Sequence, residues 1–131
     1  KLSPVFSWQT KISQIKKIKK GDIVGYSKEF IADKEMQIAI IPVGYADGFR
    51  RSLGNGKGSV FINGKKFYTI GNVCMDMIMI DVSNEDIPPG AIIEIIGENQ
   101  SLRQFAKLLD TIPYEVLTSL SNRVHRNYIL S

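Results

Sequence analysis

The sequence predicts a mainly β protein: a small closed or nearly closed antiparallel β-barrel with two short α-helices near the C-terminus, forming a single domain over residues 1–131. Three observations lead there. Roughly six short runs rich in Ile, Val and Phe are separated by Gly, Pro and Asn turn signals, which is the spacing of strands. Asn63-Gly64 stands between two of these runs and is a strong hairpin signal. Helical periodicity is confined to the stretch after Gln100. Closure of the sheet is expected because short strands with little helix between them otherwise leave their edges exposed.

Ile12, Ile15 and Ile18 recur every third residue among lysines, a spacing that matches neither the strand nor the helix template, before Lys20-Gly21-Asp22 breaks the run. Ile23 and Val24 open a short strand ending near Gly25-Tyr26. Within residues 35–43 the run Ile38-Ala39-Ile40-Ile41-Pro42-Val43 reads as a buried strand, with Pro42 at its exit or at an edge. The loop from Gly44 to Gly58 holds five glycines and is expected to be flexible unless something pins it. Val60-Phe61-Ile62, Asn63-Gly64 and Lys65-Lys66-Phe67-Tyr68 form a β-hairpin with a type I′ turn, because Asn-Gly accepts positive φ at both central positions. Ile78, Ile80 and Val82 alternate with Met77, Met79 and Asp81 in another strand. Pro88-Pro89-Gly90 turns the chain, and Ile92 to Ile96 return it as an apolar strand. Ser101-Leu102-Arg103-Gln104 fits a capping box, after which Leu102, Phe105, Ala106 and Leu109 share one face. Pro113 suits the first position of a second helix that carries Val116, Leu117 and Leu120 inward. Arg123 to Ile129 read as a last strand.

Composition narrows the function classes. The chain has 17 Lys+Arg against 13 Asp+Glu, a formal charge of +4, and is 44% hydrophobic, as expected of a globular domain with its own core. Cys74 is the single cysteine and cannot form an internal disulfide; no apolar run approaches the roughly 18–20 residues of a membrane span. The chain therefore reads as soluble and cytoplasmic, and its start at Lys1 without a leader reads as a piece of a longer polypeptide. Lys11, Lys16, Lys17, Lys19 and Lys20 crowd one segment. Arg50-Arg51, Lys65-Lys66 and the pair Arg123 and Arg126 form smaller basic groups. Such groups can track a phosphate backbone, with Phe61, Phe67 and Tyr68 stacking bases, or they can be the solvated face that keeps a small domain soluble.

One histidine, His125, and one cysteine fall short of a zinc site, and neither a P-loop nor a dinucleotide fingerprint is present. A Cys74–His125 nucleophile pair competes with the plainer reading of Cys74 as a small buried hydrophobe. Tyr26 and Tyr45 follow glycines and Tyr114 follows a proline, which places their rings at the ends of elements. A phenol with its ordinary pKa of about 10 serves as acid or base only when cations and burial bring that value down; otherwise such tyrosines are packed rim residues.

Gly21-Asp22-Ile23-Val24-Gly25-Tyr26, the stretch from Ile41 to Arg51 with its Gly44-Tyr45-Ala46-Asp47-Gly48 core, Gly71-Asn72-Val73-Cys74-Met75-Asp76, Thr111-Ile112-Pro113-Tyr114-Glu115 and Arg123-Val124-His125-Arg126 together resemble the C-terminal domain of alanine racemases. All of these segments occur in the family's order and cover nearly the whole chain. The glycine-rich loop from Arg50 to Gly58 further resembles racemases fused behind the ligase that joins D-alanyl-D-alanine to the cell-wall precursor.

The resemblance implies a cytoplasmic two-domain isomerase that interconverts L-alanine and D-alanine for peptidoglycan synthesis. It uses pyridoxal 5'-phosphate, held by a lysine of an N-terminal (β/α)₈ barrel that lies outside this chain. Two subunits pair head to tail, so that the β domain of one completes the active site in the barrel of the other. Racemisation needs a proton removed from one face of the substrate's α-carbon and another delivered to the opposite face, hence two bases. The resemblance assigns one of them to Tyr26. It places Tyr45, Arg51, Asp76 and Ile112 along the substrate's access corridor, and gives Met75 a backbone N–H that meets the substrate carboxylate. Tyr114 is implied to bond the cofactor phosphate and to narrow the inner gate with Tyr26, and Arg126 to join a structural charge network. Asn72 and Met77 depart from the arginine and glutamine common in the family on either side of Val73-Cys74-Met75-Asp76. Since the cofactor lysine lies outside this chain, the fragment alone is expected neither to hold the cofactor tightly nor to racemise alanine, and no nucleic-acid or membrane partner is expected. A nucleic-acid-binding barrel and a pure dimerisation module are the competing readings.

Overall fold

Isoleucines spaced by three in a strand point to opposite faces, and here each face has its own core. The computed structural model describes residues 6–24, 30–88, 90–120 and 127–128. Strand β1 (Phe6–Lys11) runs directly into β2 (Gln14–Ile18), followed by β3 (Ile23–Val24), β4 (Phe30–Ile31) and β5 (Met36–Ile41). Ile15 packs on the main cluster and Ile18 on the smaller one. The same division runs along β5, where Ala39 and Ile41 face the main cluster while Met36, Ile38 and Ile40 face the other. It recurs in β8 (Ile78–Asp81), where Met79 is buried as well as Ile78 and Ile80. Strict alternation of buried and exposed residues, as the sequence suggests for β8, fails because Ala32 and Phe30 contribute to a second apolar layer outside the sheet.

The remaining strands are β6 (Ser59–Ile62), β7 (Lys65–Ile70), β9 (Ile92–Ile96) and β10 (Asn127–Tyr128). Pairing is antiparallel in the order β10-β1-β9-β6-β7-β8-β5-β2, with β3 and β4 as a separate ribbon. The two sides of this order meet in one bent strand. At the bend, the Ile12 N–H donates to the Ala91 carbonyl beside β9 (3.1 Å), while the Ser13 N–H donates to the Ile40 carbonyl of β5 (2.9 Å). One bent strand thus pairs with β9 through its first half and with β5 through its second, which curls the sheet toward a barrel, with β10 added outside β1.

The hairpin turn is type I′, with φ 50° at Asn63 and 81° at Gly64. Helix α1 (Leu102–Leu108) begins on the expected capping box: the Gln104 N–H donates to Ser101 Oγ (3.1 Å) and the Ser101 N–H to Gln104 Oε1 (2.8 Å). Helix α2 (Pro113–Ser119) has Pro113 in its first turn. Phe105, Ala106, Val116 and Leu120 are buried in the main cluster with Trp8, Phe49 and the inward residues of β5, β8 and β9. Ten strands are described, more than the sequence suggests: β1 and β2 lie where the isoleucine spacing matched neither template, because their two faces serve different cores, and β4 is only two residues long. The expected last strand is described only at Asn127–Tyr128, and Tyr26, Arg123, His125 and Arg126 lie outside the described residues. Among the described residues no helix is long and apolar enough to cross a membrane.

Candidate functional site

The glycine-rich loop after β5 is pinned rather than free. Thr69 Oγ1 donates to the Leu53 carbonyl (2.6 Å), the Asn55 N–H to the Gly71 carbonyl (2.7 Å) and Asn55 Nδ2 to Asn72 Oδ1 (2.7 Å). Leu53 is fully buried and anchors the loop in the core. The pinning sets this loop against residues 71–77, and between them opens a cleft of about 600 Å³ lined by Tyr45, Arg51, Asn72, Cys74, Met75 and Asp76, among others.

Tyr45 enters the cleft from a single 3₁₀ turn (Tyr45–Asp47), and the Arg51 guanidinium carbon lies 5.8 Å from the centre of its ring. The opposing wall is tied to this turn through backbone. The Tyr45 N–H donates to the Cys74 carbonyl (3.0 Å) and the Ala46 N–H to the Met75 carbonyl (3.1 Å). In a trans peptide the carbonyl and the following N–H point in opposite directions. With no cis bonds described, the N–H groups of Met75 and Asp76 therefore point away from the turn.

The structure places Tyr45, Arg51, Met75 and Asp76 on one cleft. It also brings in Ser13, Ile40, Pro42 and Cys74, which sequence reasoning did not place there and which only the strand pairing could have revealed. Ile112 and Tyr114 stand at the start of α2, 61% and 72% exposed, and are not among the residues lining the cleft. Arg50 links the two regions: its guanidinium approaches the Glu115 carboxylate (3.5 Å), which also accepts from Thr111 Oγ1. These contacts, the Thr111 hydrogen bond first, hold the Glu115 pKa below its ordinary 4.5. No group of acidic, His or Cys side chains able to hold a metal is present among the described residues.

The basic hairpin suggested for nucleic acid is occupied by its own contacts. Lys66 Nζ lies 5.8 Å and 5.7 Å from the ring centres of Phe61 and Tyr68, and Lys65 pairs with Glu85. Of the three rings that would have to stack on bases, Phe61 and Phe67 are buried and Tyr68 alone is exposed.

The profile of the family "Alanine racemase, C-terminal domain" matches residues 5–128. This chain belongs to the alanine racemase C-terminal domain family. The alanine racemase of Clostridium tetani is 43% identical over 98% of this chain. In solved structures, the alanine racemase of Bartonella henselae with covalently bound pyridoxal phosphate superposes at a TM-score of 0.84, with 38% identity over 92% of this chain. That of Clostridium difficile in complex with cycloserine also gives 0.84, with 36% identity over 95%. This alanine racemase C-terminal domain spans 34% of the Clostridium tetani relative and 34% of the Bartonella henselae chain.

Proposed function

We propose that this chain is the substrate-access domain of a pyridoxal-phosphate-dependent alanine racemase and works on a barrel domain of a partner subunit in a head-to-tail dimer. The observation that carries the reading is the cleft, which Arg51, Tyr45, Met75 and Asp76 line together in a chain of this family. Alanine offers one carboxylate, one ammonium and a methyl group. The Arg51 guanidinium attracts the carboxylate, the Met75 N–H receives it, Tyr45 limits the width of the passage and Asp76 stands at its mouth, where a carboxylate selects for the ammonium.

Tyr114 is the residue of this chain that fits a share in holding the cofactor. Its phenol, carried on α2 and largely exposed, is a donor available for a phosphate oxygen of a group held by another domain, and that single bond is the share this chain would provide. When bound, the cofactor withdraws electrons from the substrate's α-carbon so that its proton becomes removable. Tyr26 then exchanges a proton with that carbon on one face, the opposite face being served by a lysine of the barrel. Ile112, exposed before the start of α2 beside Tyr114, would supply an apolar surface to the site completed by the barrel.

The test uses the full-length enzyme. Tyr26→Phe removes only the hydroxyl, so KM for alanine should stay within a few-fold while kcat falls by about a hundredfold or more. Near wild-type rates in both directions would remove Tyr26 from the proposal. Mixing the 131-residue chain with a separately produced barrel should restore turnover only if this domain carries catalytic groups; a pure dimerisation module would restore assembly without it.

A further inference from the structure

Asp47 is a carboxylic acid only 6% exposed that the proposed chemistry does not use. It closes the turn that carries Tyr45: its Oδ2 accepts from the Gly44 N–H at 3.0 Å, while its own N–H donates to the Gly44 carbonyl at 3.0 Å. The turn is held at both ends, since Val43 is 2% exposed and Phe49 fully buried against the Trp8 and Phe105 rings. Its middle lies directly on the opposing wall. A Cβ at Gly44 would sit 2.2 Å from the Cys74 carbonyl oxygen and 2.4 Å from that of Met75, so the two backbones approach as closely as glycine allows. On the far side Gly48 takes φ +111°, and a Cβ there would meet Leu120 at 2.8 Å, at the end of α2.

We propose that Asp47 is a positioning residue for the reaction: by fastening Gly44 it fixes Tyr45 on one wall of the cleft and, through the Tyr45 and Ala46 N–H bonds to the Cys74 and Met75 carbonyls, holds the Met75 wall at a set distance from it. Substrate is then received by groups whose spacing is set before it arrives, and misplacement near 1 Å is enough to cost about a hundredfold in such sites. The proposal rests on the reading of the cleft as the racemase access passage.

Asp47→Ala and Asp47→Asn in the full-length enzyme test it, with KM and kcat read separately and amide hydrogen exchange read over residues 44–49. Asp47→Ala should raise KM for alanine about tenfold or more and speed exchange at Tyr45 and Ala46, while kcat changes less. Asp47→Asn keeps an acceptor oxygen and should hold both KM and exchange within about threefold of wild type. Unchanged KM and exchange in Asp47→Ala overturns the proposal, as does an Asp47→Asn variant that loses both. Should Asp47→Ala not fold, the Asp47→Asn result decides alone. A wild-type enzyme that binds no alanine would instead defeat the proposed function, and the exchange measurement would still report on the turn.

Discussion

Gly64 shows how a single backbone angle becomes an energy. At φ +81° it occupies the left-handed region of the hairpin turn, with only Asn99 Oδ1 near the place of a Cβ, so Gly64→Ala meets no clash and is penalised by conformation alone. Urea unfolding should register a loss of about 1–2 kcal/mol. Gly44 is the contrasting case, because its φ is −152° and its cost is steric. Gly44→Ala must push the Cys74–Met75 backbone away, so in the full-length enzyme the thermal midpoint and kcat/KM for alanine should fall together. The tyrosines divide in the same way. Position after a glycine marked Tyr45 as the end of an element, but that its ring stands beside Arg51 follows from the 3₁₀ turn, which no local pattern announced.

At the scale of elements, α1 was legible because its start is written in four consecutive residues, Ser101 to Gln104. Ser101→Ala removes the acceptor for the Gln104 N–H and should lower stability by about 1 kcal/mol in chemical denaturation. Helix α2 adds a pH dependence. The Glu115 pKa is lowered in the folded state, so its contribution is fully present above the ordinary carboxylate value of 4.5 and is lost as pH falls through the lower, folded value. The group is exposed, so the effect is small. Wild type and Glu115→Gln should differ slightly in thermal midpoint near pH 7 and converge in acid. The loop from Gly44 to Gly58 was less legible: its glycines suggested flexibility, yet Thr69, Asn72 and Gly71 hold it from strands and loops distant in sequence.

For the whole molecule, Phe49 is the point where turn, barrel and helices meet, with ring centres 6.5 Å from Trp8 and 6.0 Å from Phe105. Phe49→Ala should cost about 3–5 kcal/mol, a large part of the stability of a domain this size, and equilibrium unfolding in urea measures it. The same substitution frees one end of the Tyr45 turn, so activity should fall together with stability. This coupling separates it from Asp47→Asn, where both are expected to persist.

By itself the amino-acid sequence determined the β-rich class, the Asn63-Gly64 hairpin, the two helix starts and the motifs that carry the family resemblance. These depend on residues within a few positions of one another, and local backbone preferences suffice to specify them. Only the tertiary structure decided that Ile15 and Ile18 serve two different cores, that one bent strand curls the sheet and that Met79 is buried. It alone decided that the Gly44 turn lies against Cys74 and Met75, which sets the spacing of the two walls of the cleft. Each of these is a contact between segments tens of residues apart, where register and close packing, rather than any residue's own preference, choose the partner.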